Sequence, residues 1–423
     1  MVTPMMNPLA VLAVLTLPQE IHVVDISGQG DFRQVSDAIP LVAAGDLLLV
    51  QAGEYAGFDL NGKGLSIAAH PEATSAPRFT GPVRLFGLPA EERIVLDGLV
   101  VDEPTFEGYV TSHVTALVIQ NNDGSIRIQD CEFVAGEGLE FENAPPAAFV
   151  TGSSDLSLNE CTLQGGAGLS SLGYAGGAPS PGGGQGLFMA DSRISIHRSI
   201  VGGGNGGDLP NGGIGGGGGP GVWQQSGRLY LGQSLVRGGD SGDTGDGIVF
   251  GQCINGGPGL LVDPSAQAAE LGSIFVGGEP GTFAFSGCTF GGEVGMPIAG
   301  NVVQFAEPPR AVMSPAIVRA GETFTTSYFG RPGDLAARLI SMDPTWKWKP
   351  GRNGALLVDP DTPFVLIHGF IDPAGGSLDV QESLSLPANM TFGTFYTQGL
   401  FISQEGQTIL ANPKTITVLD PAF

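Results

Sequence analysis

One pattern recurs five times between residues 116 and 281, and nothing else in the sequence constrains the fold as tightly. The copies span 116–138, 147–168, 186–207, 221–242 and 259–281. Each opens with a short apolar strand, passes a polar turn and enters an alternating strand such as Ile126-Arg127-Ile128. A Cys or Ser follows, then two or three apolar residues and a glycine pair. The anchors Cys131, Cys161, Ser199, Ser234 and Ser273 are separated by 30, 38, 35 and 39 residues. Period-two alternation marks half-buried strands. One copy has too little apolar surface to fold alone, so copies must stack on a shared core, with parallel strands about 4.8 Å apart. The spacing varies after the glycine pairs, so insertions leave the stack at one corner. The expected fold is all-β, a parallel β-helix solenoid with three short strands per coil.

The start of the stack is also readable. Phe32, Val35, Ile39 and Val42 recur at helical spacing, with Asp31 placed as an N-cap. Gly45-Asp46 ends that helix, and Leu47–Val50 begins a strand. A short amphipathic helix suits the N-terminal cap that a solenoid needs. Phe32, Val35, Ala38 and Ile39, followed by Ala44-Gly45-Asp46, Leu48, Val50, Gly53 and Tyr55, resemble the cap and first coil of the right-handed, pectin-lyase-like β-helix superfamily. The strings SIRIQDCEF and DLSLNECTL resemble its later coils. The resemblance covers roughly residues 20–295. It implies fold more than function, because that superfamily includes lyases, hydrolases, adhesins and inert spikes.

Charge excludes one function class. The chain has 18 basic and 42 acidic residues, net −24, and only four lysines. A nucleic-acid binder of this charge would be repelled by phosphates. Residues 1–20 contain an apolar run of signal-peptide length without a basic start, and read as a secretory signal. No later run is long enough to span a membrane. A secreted or cell-surface location and a monomer are therefore expected. The four cysteines lack the spacing of a zinc site, and Cys131 and Cys161 fall in one column as small buried hydrophobes.

Beyond residues 21–299, residues 300–310 read as a linker and 311–423 as a β-sandwich. Its strands are placed at Ala316–Val318, Thr323–Tyr328, Ala336–Ile340, Ala355–Val358, Phe364–His368, Phe395–Ile402 and Thr415–Leu419. The tail resembles a C-terminal domain common in large secreted bacterial proteins, which implies no activity.

Chemistry is sparse. Polygalacturonase-type relatives carry paired Asp residues, Gly-His-Gly and Arg-Ile-Lys, and pectate-lyase relatives carry an Arg-x-Pro-x-x-Arg. None is present here. The candidates that remain are Arg193 and His197 for proton abstraction, on a strand face with columns Arg127, Ser157, Ser195, Tyr230 and Gln129, Asn159, His197. A solvated face is the competing reading. Trp223 and the string Trp346, Lys347, Trp348, Lys349 are candidates for sugar or polyanion contact, against burial in a core. Asp240, Asp243 and Asp246 lie in a glycine-rich loop and are the candidate calcium ligands. No other cofactor is expected. Residues 161–260 hold 34 of the 69 glycines, in loops that leave one corner and lie together, as mobile linkers or as a contact face. The leading expectation is an extracellular structural, adhesive or carbohydrate-binding protein. The alternative is a polysaccharide lyase or glycoside hydrolase.

Overall fold

The computed structural model describes residues 19–102, 114–139, 142–170, 180–208, 214–244, 252–282, 290–348, 353–359, 361, 364–372, 374–386 and 390–423. Residues 1–18 of the expected signal, Asp246 and Lys349 lie outside these. The described chain is all-β but for one helix of four residues, Val35–Ala38. Its strands form long parallel sheets, one of sixteen strands and one of eight. Among the described residues no helix is long and apolar enough to cross a membrane.

The repeats pair in register. In the alternating strands, Ile126, Leu156, Ile194, Leu229 and Ala268 make one inward column. In the next sheet, Phe133, Leu163, Val201 and Val236 make another. All are buried in one continuous core. The corner between these sheets explains the anchors. Gly98, Asp130, Glu160, Arg198, Gln233 and Gly272 precede successive copies of that corner, all with φ between 49° and 70°. Each left-handed residue turns the chain, and the next side chain enters the corner. There Ser199 Oγ accepts from Cys161 N (3.0 Å), Ser234 Oγ from Ser199 N (3.2 Å) and Ser273 Oγ from Ser234 N (3.2 Å). The hydroxyl column thus ties each corner to the one before it, a role beyond small size. Cys131 and Cys161 are free, buried thiols, and Cys253 is disulfide-bonded.

The cap differs from expectation. Gln34, not Asp31, precedes the helix, and makes no side-chain cap bond. Asp31 instead accepts from Val23 N at 2.8 Å. Pinning the first strand's backbone takes the carboxylate away from the helix.

The glycine segments are ordered against one another where they are described. Gly184 N–H donates to Gly166 C=O, Gly204 to Gly184, Gly219 to Gly204, Gly239 to Gly219, Gly257 to Gly239 and Gly278 to Gly257, each at 2.8–2.9 Å. The outgoing arms also bond to the arm above every third residue, Gly238 to Val276, Ser241 to Glu279 and Thr244 to Thr282. A three-residue period without a β ladder is that of extended polyproline II segments. Two layers of such arms, outgoing and returning, bond backbone to backbone. A Cβ on Gly219 would sit 2.1 Å from Gly184 O, and one on Gly204 1.8 Å from Gly166 O. Glycine is required there by close approach.

Residues after 310 switch to mostly antiparallel pairing. One sheet of three strands contains Ala311–Met313, Thr323–Phe329 and Ser377–Ser383. One of five contains Leu335–Ser341, Phe392–Ile402 and Thr408–Leu419. Every strand placed from sequence in this region is present; Ala311–Met313 and Ser377–Ser383 were not foreseen. The region rests on the outer face of the alternating strands. Two apolar clusters join the parts: Tyr230, Ala269 and Leu271 with Trp346, Phe401 and Ile409, and Leu47, Leu49 and Ala68 with Phe392 and Leu419.

Candidate functional site

The register places Arg127, Ser157, Ser195 and Tyr230 in one column, and Gln129, Asn159 and His197 in the next. Strand alternation turns both columns away from the core. They are nevertheless buried: Arg127 is 4% exposed, Ser195 0% and His197 2%. The C-terminal region covers them, so this face is not solvated. Gln129 Nε2 donates to Thr415 O (3.0 Å), and Thr415 N donates to Gln129 Oε1 (2.9 Å). Lys414 Nζ donates to Asp130 (2.6 Å) and Glu160 (2.8 Å) at the left-handed corner. Arg127 pairs with Asp155 and reaches Thr345 O at 3.2 Å. Arg93 pairs with Asp343, and Arg319 with Glu72, at the rim.

The centre of this interface is polar and loosely filled. Ser157 Oγ, Ser195 Oγ, both amide atoms of Asn159 and His197 Nε2 have no protein hydrogen-bond partner among the described residues. Arg127, Gln129, Asn159 and Lys414 line a small hollow there, roughly large enough for one water. Burial pushes the His197 imidazole down to about 3, so it is neutral at physiological pH. Burial raises the Asp97 carboxyl to about 7, with Asp130 adding to the effect and Lys414 opposing it. A neutral imidazole without a partner carboxylate, sealed from solvent, has no route to a substrate.

Arg193 does not join His197. It lies four residues earlier on the same strand face, about 13 Å away at strand rise. It is exposed, and borders an open hollow of about 340 Å³ with Arg228, Asp123 and Asp191. Trp346 is buried in the interface cluster, Lys347 is exposed and Trp348 is half-buried. The two tryptophans thus serve the junction between regions.

Asp240 and Asp243 sit at the outward position of their triplets. Asp240 Oδ1 accepts from Glu279 N, and Asp243 Oδ1 from Thr282 N, both at 2.8 Å. Residues three apart on such a segment are about 9 Å apart on the same side, so the two carboxylates stay separate, each capping its own backbone N–H of the next arm. Among the described residues no cluster of three or more His, Cys, Asp or Glu side chains could hold a metal.

Trp223 points outward, half-buried, rather than into the core. It is one rung of a stack that single-residue reading missed. Phe149, Phe188 and Trp223 are register partners, with ring centroids 5.0 and 5.3 Å apart. The signal was present in the aligned repeats, where all three occupy the second position of the first strand. No protein-family model matches the chain, and comparison with curated proteins finds no relative.

Proposed function

We propose that residues 21–299 form a right-handed parallel β-helix of the pectin-lyase-like kind and residues 311–423 a β-sandwich. We infer that the whole acts as an extracellular or cell-surface scaffold, structural, adhesive or carbohydrate-binding, rather than as a polysaccharide-processing enzyme. The observation that carries this reading is the covered polar ladder. The chain's own C-terminal region closes over Arg127, Ser195 and His197, the face on which sequence reasoning sought chemistry. The acidic charge supports export in a form kept soluble by self-repulsion. The disulfide at Cys253 suits an oxidising compartment.

The full chain would be incubated with neutral and uronate polysaccharides, with and without calcium, while ultraviolet absorbance of unsaturated products and release of reducing ends are followed. No turnover is expected. Turnover lost in His197→Ala or Arg193→Ala would replace this reading with the lyase or hydrolase alternative.

A further inference from the structure

The strand Phe364–Phe370 reads Phe-Val-Leu-Ile-His-Gly-Phe and carries one ionisable side chain, in a chain of net −24. It lies at the edge of the five-stranded sheet and, among the described residues, pairs only with Leu335–Ser341. A sheet edge presents unpaired N–H and C=O groups, and folded proteins blunt such edges by shortness or charge. The other edges of this region follow that rule. Ile317–Arg319 and Ala311–Met313 are three residues long, and Ser377–Ser383 carries Asp379 and Glu382. Phe364–Phe370 has seven residues and no acidic or basic one but His368, where a bulge interrupts the ladder. The bulge leaves Phe364–Ile367 in regular register.

Its side chains alternate between two surroundings. Leu366 turns between the sheets and packs with Val318, Phe324 and Ile340, and His368 meets Glu382 there at 3.3 Å. Val365, Ile367 and Phe370 turn the other way and are 50%, 70% and 68% exposed. The register sets them beside Leu339, Ala337 and Leu335, with Leu400 and Ile402 one strand further in. Elsewhere the chain covers this face of the sheet itself. Leu356 and Val358 pack on Leu339 and Leu410, and Phe392 and Leu419 rest on Leu47 and Leu49. The cover stops short of the edge, where Ile402 is exposed as well. The charges nearest in sequence lie beyond the strand ends. Asp361, paired with Lys347, precedes it, Asp372 follows it, and Glu405 stands in the turn after Ile402.

A partner for this edge must supply a strand for the unpaired backbone, apolar side chains for the outward face, and no added negative charge. The same strand of another copy meets all three needs. Antiparallel pairing about a two-fold axis normal to the sheet keeps both outward faces on one side, so Val365 and Ile367 of each copy meet across the seam. We propose that a second copy of this chain docks here, edge to edge, joining the two five-stranded sheets into one. The exposed apolar side chains amount to on the order of 400 Å² per copy, which belongs to the small, weakly associating class of interface. Net charge opposes the approach of two such copies, so salt should strengthen the pairing by screening it.

Sedimentation velocity of the full chain, run up to about 0.2 mM, should show a monomer–dimer equilibrium in the micromolar range. The dimer fraction should rise when salt goes from about 20 to about 500 mM. Ile367→Lys and Phe370→Ser alter exposed side chains, and each should weaken association tenfold or more. Ile274→Lys, at an exposed apolar residue of the coils, should leave it unchanged. Thermal unfolding of each variant separates lost pairing from lost fold. Amide exchange in the unaltered protein needs no variant: exchange at 364–367 should slow as concentration rises, with the amides of Ser377–Ser383 unaffected. A monomer at every concentration and salt would overturn the proposal. So would a dimer indifferent to both edge substitutions, or one that leaves exchange at 364–367 unchanged, since either would place the contact elsewhere.

Discussion

The side-chain amide of Gln129 bonds both backbone groups of Thr415, donating to its carbonyl and accepting from its N–H. It pairs with that strand as a backbone would, and fixes where the C-terminal region sits on the parallel sheet. Gln129→Leu leaves two buried backbone groups unpaired, at about 1–3 kcal/mol each. The expected result is faster amide exchange at Thr415 and faster proteolysis near residues 305–310, with the core amides of the coils unchanged. Exchange at Thr415 no faster than in the unaltered protein would remove Gln129 from the docking account.

Asp97 lies in the same outward series, bonded by Gln129 Nε2 at 3.2 Å. Its carboxyl is raised to about 7 by burial, so the folded protein holds a proton that the unfolded chain releases near pH 4. Stability from this group is therefore present at acid pH and is lost as pH rises towards 7, by of order 4 kcal/mol. Asp97→Asn removes that loss. The variant should gain thermal stability over the unaltered protein as pH goes from 4 to 8, and the gain should be smallest at pH 4.

His197 has the opposite sign. Its folded value near 3 lies below the ordinary 6.5, so the unfolded chain takes up a proton first. Stability from this group is present above about pH 6.5 and is lost as pH falls towards 3. Between pH 4 and 6.5 the two slopes oppose each other. His197→Phe should be relatively more stable at pH 4 than at pH 7, as read by denaturant midpoints at the two pH values.

The glycine arms predict a sharp positional contrast. Gly219→Ala drives a methyl to 2.1 Å from Gly184 O, which the bonded backbones can relieve only by separating. Overpacking of this kind costs about 1–3 kcal/mol. Gly217→Ala meets only Ile254 Cγ2, at 3.2 Å, and should change stability little. Equal thermal midpoints for the two variants would contradict the two-layer packing.

The parallel stack was legible because its signals are local and repeated. Ile126, Leu156 and Ile194 show the alternation, and the serines that follow each corner show the register. The arms were half-legible. The strings GGGNGG and GGDSGD carry glycine or serine at two positions of every three, the period of the packed segments, but three-residue glycine periodicity also occurs in mobile linkers. The fate of the polar ladder was not legible. Ser157, Ser195 and His197 read as outward residues and are outward, but only the docking of residues some 200 positions later decides that they are buried. The same long-range contact turned Trp346 into an interface residue. The aromatic stack was hidden by treating Trp223 alone, since its meaning depends on Phe188 and Phe149 in the coils before it.

The covered ladder is the central claim, and a thiol placed on it tests it most directly. In Ser195→Cys the new side chain lies on the outward face beneath the C-terminal region, while Cys131 and Cys161 are buried and burial raises both thiols, Cys161 to about 12. Labelling of the native variant by a thiol reagent, compared with the unaltered protein and with the denatured variant, reads the accessibility of position 195. The account predicts labelling no faster than in the unaltered protein until denaturant is added. One additional thiol labelled in the native state at the denatured rate would show an open face, and would return Arg193 and His197 to consideration as groups a substrate can reach.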